Sequence, residues 1–159
     1  MVTKTLNICG NNVFISVDSG KLCRCHWINF DSGGGPVKNP DDASSDDLIV
    51  MSEVEKQLKE YFAGDRKKFS LPLELKGTPF QKKVWEELKK IPYGSTVSYG
   101  ELSRRIGNPK AVRAVAQACG ANPLAVIIPC HRVIATGGKP GGYTGGVEHK
   151  IHLLEIETF

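Results

Sequence analysis

The run Ile127-Ile128-Pro129-Cys130-His131-Arg132-Val133-Ile134 sets one thiol between an apolar stretch and a His-Arg pair. The thiolate is the reactive form of cysteine, and nearby imidazole and guanidinium groups stabilise it. A base that takes the thiol proton is the usual activation of such a nucleophile. The competing reading is a buried structural cysteine, because free Cys packs as a small hydrophobe. Just beyond, positions 137–146 hold six glycines in ten residues, with Tyr143 among them. Such a run allows close approach of the backbone to a ligand, or forms a flexible surface loop. Tyr143 suits a pocket wall that meets a planar group.

The other cysteines are Cys9, Cys23, Cys25 and Cys119. Five thiols, an odd count, and no apolar leader after Met1 argue against a disulfide framework. Reduced thiols and an intracellular compartment are expected: cytoplasmic in a prokaryote, nuclear in a eukaryote. Cys9, Cys23, Cys25 and His26 could supply four zinc ligands. Cys23 and Cys25 lie two residues apart on one strand, without a Cys-x-x-Cys knuckle, which argues against a structural zinc there.

The elements that must position Cys130 follow from periodicity. The first 30 residues read as strands: Val13-Phe14-Ile15-Ser16-Val17, a turn at Asp18-Ser19-Gly20, then an extended pattern over 22–30. Positions 31–47 are rich in Gly, Pro, Asp and Ser and read as a mobile loop. Ser52 with Glu55 predicts a capping box, and Val54, Leu58 and Phe62 an apolar helix face. Positions 69–75 read as a strand. Thr78 and Pro79 open another helix, whose apolar face is Phe80, Val84 and Leu88. A boundary near Lys76 gives domains 1–75, α+β with a small antiparallel sheet and a helix, and 76–159, mostly helical.

Within the second part, 98–106 and 110–119 read as short helices joined by Gly107-Asn108-Pro109, a helix-turn-helix pattern. Plain core packing produces such pairs too. The exposed side would carry Arg104, Arg105, Lys110 and Arg113, and the second helix is rich in alanine. If it meets DNA, it reads shape and phosphates, with little sequence preference. Charge agrees: 1–75 holds 9 basic and 11 acidic residues, net −2, whereas 76–159 holds 12 and 6, net +6. A basic half suits a polyanion, or is an ordinary solvated surface. No apolar run approaches the ~20 residues that span a membrane.

Pro129-Cys130-His131-Arg132-Val133 resembles the active-site signature of the O6-alkylguanine-DNA alkyltransferases. The resemblance runs from about Phe80 to Glu157, through Gly94-Ser95-Thr96-Val97-Ser98-Tyr99, Gly107-Asn108-Pro109-Lys110, Arg113-Ala114-Val115, Asn122-Pro123 and Tyr143-Thr144-Gly145-Gly146. It implies an α+β fold, ribonuclease H-like in the N-terminal part, with a helix-turn-helix behind it. It also implies DNA repair: O6-alkylguanine, or O4-alkylthymine, is flipped from duplex DNA and its alkyl group passes irreversibly to Cys130. Each molecule would act once, as a monomer in the minor groove, without a cofactor.

The resemblance further implies roles. His131 would take the Cys130 proton through a water, Glu157 would orient His131, and Asn122 would brace the turn. Tyr99 would donate a proton to guanine N3. The Cys130 and Val133 carbonyls would accept from the guanine amine, Tyr143 would wall the pocket, and Thr144 with Gly145 would donate towards O6. Arg113 would fill the gap left in the stack, with Lys110, Ala114, Ser98 and Arg105 against DNA. Thr144 often stands as Ser in relatives, and Ala125 replaces a Pro found in some, which could enlarge the pocket. Cys119 would be a wall residue or an oxidation liability. A lesion-binding protein that recruits other machinery lacks the acceptor cysteine, which is present here.

Overall fold

Two tight turns shape the N-terminal sheet. β1 (Val2–Ile8), β2 (Asn11–Asp18) and β3 (Lys21–Trp27) pair antiparallel in that order. Ile8 pairs with Asn11 and Asp18 with Lys21, so each hairpin loop has two residues. Both residues of each loop have positive φ, Cys9 (52°) with Gly10 (81°) and Ser19 (51°) with Gly20 (73°). That geometry matches the strand twist, and glycine supplies it without strain.

The structure is a computed structural model of the chain that describes residues 1–28, 37–135, 137–138, 141–143 and 145–158. Part of the loop expected over 31–47 therefore lies outside the described residues, as does Thr144. The chain divides into two compact units, Met1–Leu75 and Lys76–Phe159.

In the first unit, α1 (Ser45–Phe62) packs Val50, Val54, Leu58 and Tyr61 against Val13, Ile15, Val17 and Leu22 of the sheet. The expected start at Ser52 is corrected: the helix begins at Ser45. Its capping box is Ser44 with Asp47: Ser44 Oγ accepts from the Asp47 amide at 3.1 Å, and Asp47 Oδ2 from the Ser44 amide at 3.4 Å. Asp47 Oδ1 also accepts from the Gly20 amide at 2.6 Å, which pulls its carboxyl below the usual range and ties the helix start to a hairpin. The loop reading over 31–47 thus ends at Ser44. The strand expected over 69–75 is also corrected to one parallel bridge, Leu22 to Leu73. Pro72 has no N–H to donate, so no ladder extends there.

The second unit is mostly helical, and the architecture is α+β. α2 (Pro79–Leu88) opens on Thr78, reciprocally capped with Gln81. It buries Val84, Trp85 and Leu88, and Trp85 Nε1 donates to the Ala118 carbonyl at 2.8 Å. That bond fixes α2 to α4 (Val112–Gly120), which packs on α3 (Tyr99–Arg105). A two-stranded parallel sheet, β4 (Val97–Ser98) with β5 (Val133–Ile134), joins the start of α3 to the segment after Cys130. Strands of two residues leave no period to read in the sequence. α5 (Val147–Thr158) closes the unit. No helix among the described residues is long and apolar enough to cross a membrane.

Candidate active site

Cys130 opens a single 3-10 turn, Cys130–Arg132, held between β5 and a stiff approach segment. The Asn122 side chain builds that segment: Nδ2 donates to the Ile128 carbonyl at 2.8 Å, and Oδ1 accepts from the Leu124 amide at 2.9 Å. Between them Val126 sits at φ 71°, a conformation that a β-branched residue rarely adopts. The surrounding turn pins it in place.

The thiol meets a cavity of about 410 Å³ lined by Tyr99, Ala116, Cys119, Gly120, Cys130, Gly142 and Tyr143. That volume falls in the range of ligand pockets, roughly 300–1,000 Å³. Gly141 permits one wall: at φ 74°, a Cβ there would stand 3.2 Å from the Tyr99 ring. Tyr99 Oη donates to the Gly142 carbonyl at 3.4 Å. Burial, then Cys119 and Cys130 beside it, push the Tyr99 phenol up to about 12, so it stays protonated and able to donate.

Behind the thiol, His131 and Glu157 form a buried pair, the one that the family resemblance implies. His131 is fully buried, and its Nε2 lies 2.5 Å from Glu157 Oε2. Burial pulls the imidazole below its ordinary 6.5 although Glu157 opposes the shift, so His131 is neutral at pH 7 and can accept a proton. Cys130 moves the other way. Burial raises its thiol above the ordinary 9.0, against an Asn122 hydrogen bond, the Lys150 ammonium and a backbone amide. The resting group is therefore a thiol, and the chemistry needs a base.

Arg132 corrects the expectation of a guanidinium aimed at the thiol. Its Nε donates to Glu157 Oε1 at 2.7 Å, one terminal nitrogen to Glu157 Oε2 at 3.2 Å, and the other to the Ile91 carbonyl at 2.7 Å. The side chain holds the carboxylate that holds the imidazole. The Gly94 amide adds a bond to Glu157 Oε1 at 3.4 Å.

These contacts belong to a known constellation. Residues 79–159 match the family model described as 6-O-methylguanine DNA methyltransferase, DNA binding domain. The Methanosarcina acetivorans methylated-DNA–protein-cysteine methyltransferase is 47% identical over 131 residues, covering 82% of this chain and 83% of that protein. The constitutive Bacillus subtilis enzyme of the same name is 54% identical over 108 residues, covering 67% and 66%. A crystal structure of Mycobacterium tuberculosis OGT in complex with DNA superposes with a TM-score of 0.84 at 38% identity, covering 98% and 92%. The chain belongs to the methylated-DNA–protein-cysteine methyltransferase family.

Other residues named from the sequence take these places in the methyltransferase fold. Arg113 and Ala114 are exposed on α4, and Lys110 is exposed in the turn before it. Ser98 spends its hydroxyl as the N-cap of α3, accepting from the Glu101 amide at 3.0 Å. Arg105, like Arg104, is paired with Glu101. Val133 is buried and outside the cavity lining, and its carbonyl accepts from Lys150. Gly145 and Ala125 do not line the cavity either. Cys119 does, and burial pushes its thiol up to about 12.

Lys150 escaped the sequence reading. It is fully buried, donates to the Val133 carbonyl at 2.6 Å and the Gly142 carbonyl at 3.2 Å, and lies 5.7 Å from the Tyr99 ring centre. On an amphipathic helix a lysine reads as solvated; only tertiary contact reveals it as a cation beside two thiols. Among the described residues no group of three or more His, Cys, Asp or Glu could hold a metal.

Proposed function

We propose that the protein repairs alkylated DNA by moving the alkyl group from guanine O6 to Cys130 Sγ, one group per molecule. The observation that carries this reading is a thiol opening into a base-sized cavity, backed by the buried His131–Glu157 pair. Guanine O6 lies inside the duplex, so the base must be extruded to reach the cavity. Extrusion costs a few kcal/mol, and less for a mispaired lesion. Arg113 fills the vacated stack, while Lys110 and α4 rest on the minor groove through phosphates and shape. Small Ala114 allows close approach and reads no bases.

His131 takes the Cys130 proton by way of a water, and Glu157, held by Arg132, stabilises the imidazolium. The thiolate attacks the alkyl carbon in line. The S–C bond forms, the C–O6 bond breaks, and the electron pair passes into the guanine ring. Tyr99 donates its phenol proton to N3, so guanine leaves neutral. The thiol proton on His131 balances the one that Tyr99 gives up. The guanine amine is held by the Cys130 carbonyl, since the Val133 carbonyl is taken by Lys150 away from the cavity, and Tyr143 walls the ring. Thr144 donates towards O6, and an O4-alkylthymine fits the same chemistry. The product thioether offers no bond that water readily breaks, so the acceptor is spent. No cofactor takes part, and because the second unit holds Cys130, His131, Glu157 and Tyr99 together, the protein works as a monomer.

Stoichiometry tests this reading. With duplex O6-methylguanine in excess, repaired lesions should plateau at one per protein molecule. Continued turnover would contradict it, and binding without any repair would point to a lesion-recruiting protein instead.

A further inference from the structure

Two thiols open into the same cavity, and the proposed transfer uses only one of them. Cys119, near the C-terminus of α4, is 7% exposed; Cys130, in the 3-10 turn, is 6% exposed. Cys130 bears electrostatically on Cys119, and both thiols on the Lys150 ammonium, so the three groups share one neighbourhood. Asn122 closes the chain between them. Its amide donates to the Cys119 carbonyl at 3.3 Å, and its side chain to the Ile128 carbonyl at 2.8 Å. The other cavity residues on α4 are the small Ala116 and Gly120. The remaining cysteines, Cys9, Cys23 and Cys25, belong to the first unit.

We propose that Cys119 is a resolving thiol for Cys130, so that oxidation of the acceptor by a hydroperoxide is trapped as a reversible Cys119–Cys130 disulfide across the cavity. His131 takes the Cys130 proton, and the thiolate attacks the peroxide. The S–O bond forms, the O–O bond breaks, and water leaves from hydrogen peroxide. Cys119 then attacks the Cys130 sulfenic sulfur. The S–S bond forms, the S–O bond breaks, and hydroxide leaves as water with the Cys119 proton. Two thiols lose two electrons, and one peroxide becomes two waters. Lys150 stabilises the Cys119 thiolate during the second step. Without a resolving thiol, sulfenic acid proceeds to sulfinic acid, which thiol reductants do not reverse. The use of this device rests on the alkyl-acceptor reading above, since a nucleophile spent only once is worth keeping recoverable; the crosslink itself does not.

The test treats the reduced protein with hydrogen peroxide, blocks remaining thiols with N-ethylmaleimide, and maps peptides without reductant. The expected result is a mass loss of two hydrogens, a Cys119-to-Cys130 crosslinked peptide, and alkyl-transfer capacity that vanishes and returns in full with dithiothreitol. In Cys119→Ala, and separately in Cys119→Ser, Cys130 should gain two oxygens. Dithiothreitol should then restore little of each variant's own starting capacity. A wild-type protein that goes straight to sulfinic acid would overturn the proposal. So would a Cys130 crosslink to Cys9, Cys23 or Cys25, or variants that recover as wild type does. A crosslink in a protein that never accepts an alkyl group would leave this inference standing and sink the alkyl-transfer reading.

Discussion

In the proposed transfer Cys130 owes its reactivity to what stands behind it. Its burial raises the thiol, and His131, kept neutral by burial, is the base the proposal assigns. The transfer rate should therefore hold across neutral pH and fall on acidification, once the pH drops below the depressed His131 value. Stability moves the same way. As the pH falls from 6.5 towards that lower value, the unfolded chain takes a proton that folded His131 refuses, and the folded state loses ground. Single-turnover rates and denaturant midpoints against pH check both statements; a rate that rises on acidification would contradict them. Glu157→Gln removes the charge that both His131 and Arg132 contact. Its transfer rate should drop about 100-fold or more, and Arg132, left buried without its carboxylate, should lower the urea midpoint. Glu157 came only from the family resemblance, whereas the sequence named Cys130 and His131 because a nucleophile and its neighbouring base leave a local trace. It missed Arg132 as the clamp on Glu157, and Lys150 altogether. A buried cation is defined by carbonyls distant in the chain, which no local pattern encodes.

Helices were legible where a cap and an apolar face coincided. Thr78, Pro79 and the Phe80, Val84, Leu88 spacing fixed α2 at once. For α1 the sequence pointed to Ser52 with Glu55, whereas the helix is capped by Ser44 with Asp47. The hydrogen bond from the Gly20 amide to Asp47 supports that cap, and it comes from another element. The same limit hid β4 and β5, whose pairing is wholly tertiary. On α4, Arg113 is exposed, as the proposed entry into a base stack requires. Arg113→Ala should slow repair of a lesion in duplex DNA about tenfold, equivalent to about 1.4 kcal/mol of lost stack filling. Transfer from the free O6-alkylated base should change less. Equal losses on both substrates would remove the intercalation role.

For the whole molecule, the net charge of the second half overstates what DNA can use. Arg132 and Lys150 are buried, and Lys89, Lys90, Arg104 and Arg105 are paired with carboxylates. Among the described residues, Lys76, Lys82, Lys83, Lys110 and Arg113 are exposed and carry no ion pair. In the proposed complex these are the cations left to meet phosphates. Lys110→Ala should lower the slope of log K against log salt by about one, with little dependence on DNA sequence; an unchanged slope would take Lys110 off the DNA. The α+β class was readable from strand signals early and helix signals late, because β1 to β3 and the larger helices carry local periodicity, unlike β4 and β5. The central claim is settled by weighing the intact protein after incubation with duplex DNA carrying O6-methylguanine. The account predicts a gain of one CH2, confined to the Cys130 peptide and absent in Cys130→Ala. An unchanged mass beside a repaired lesion, or the gain on another residue, would contradict it.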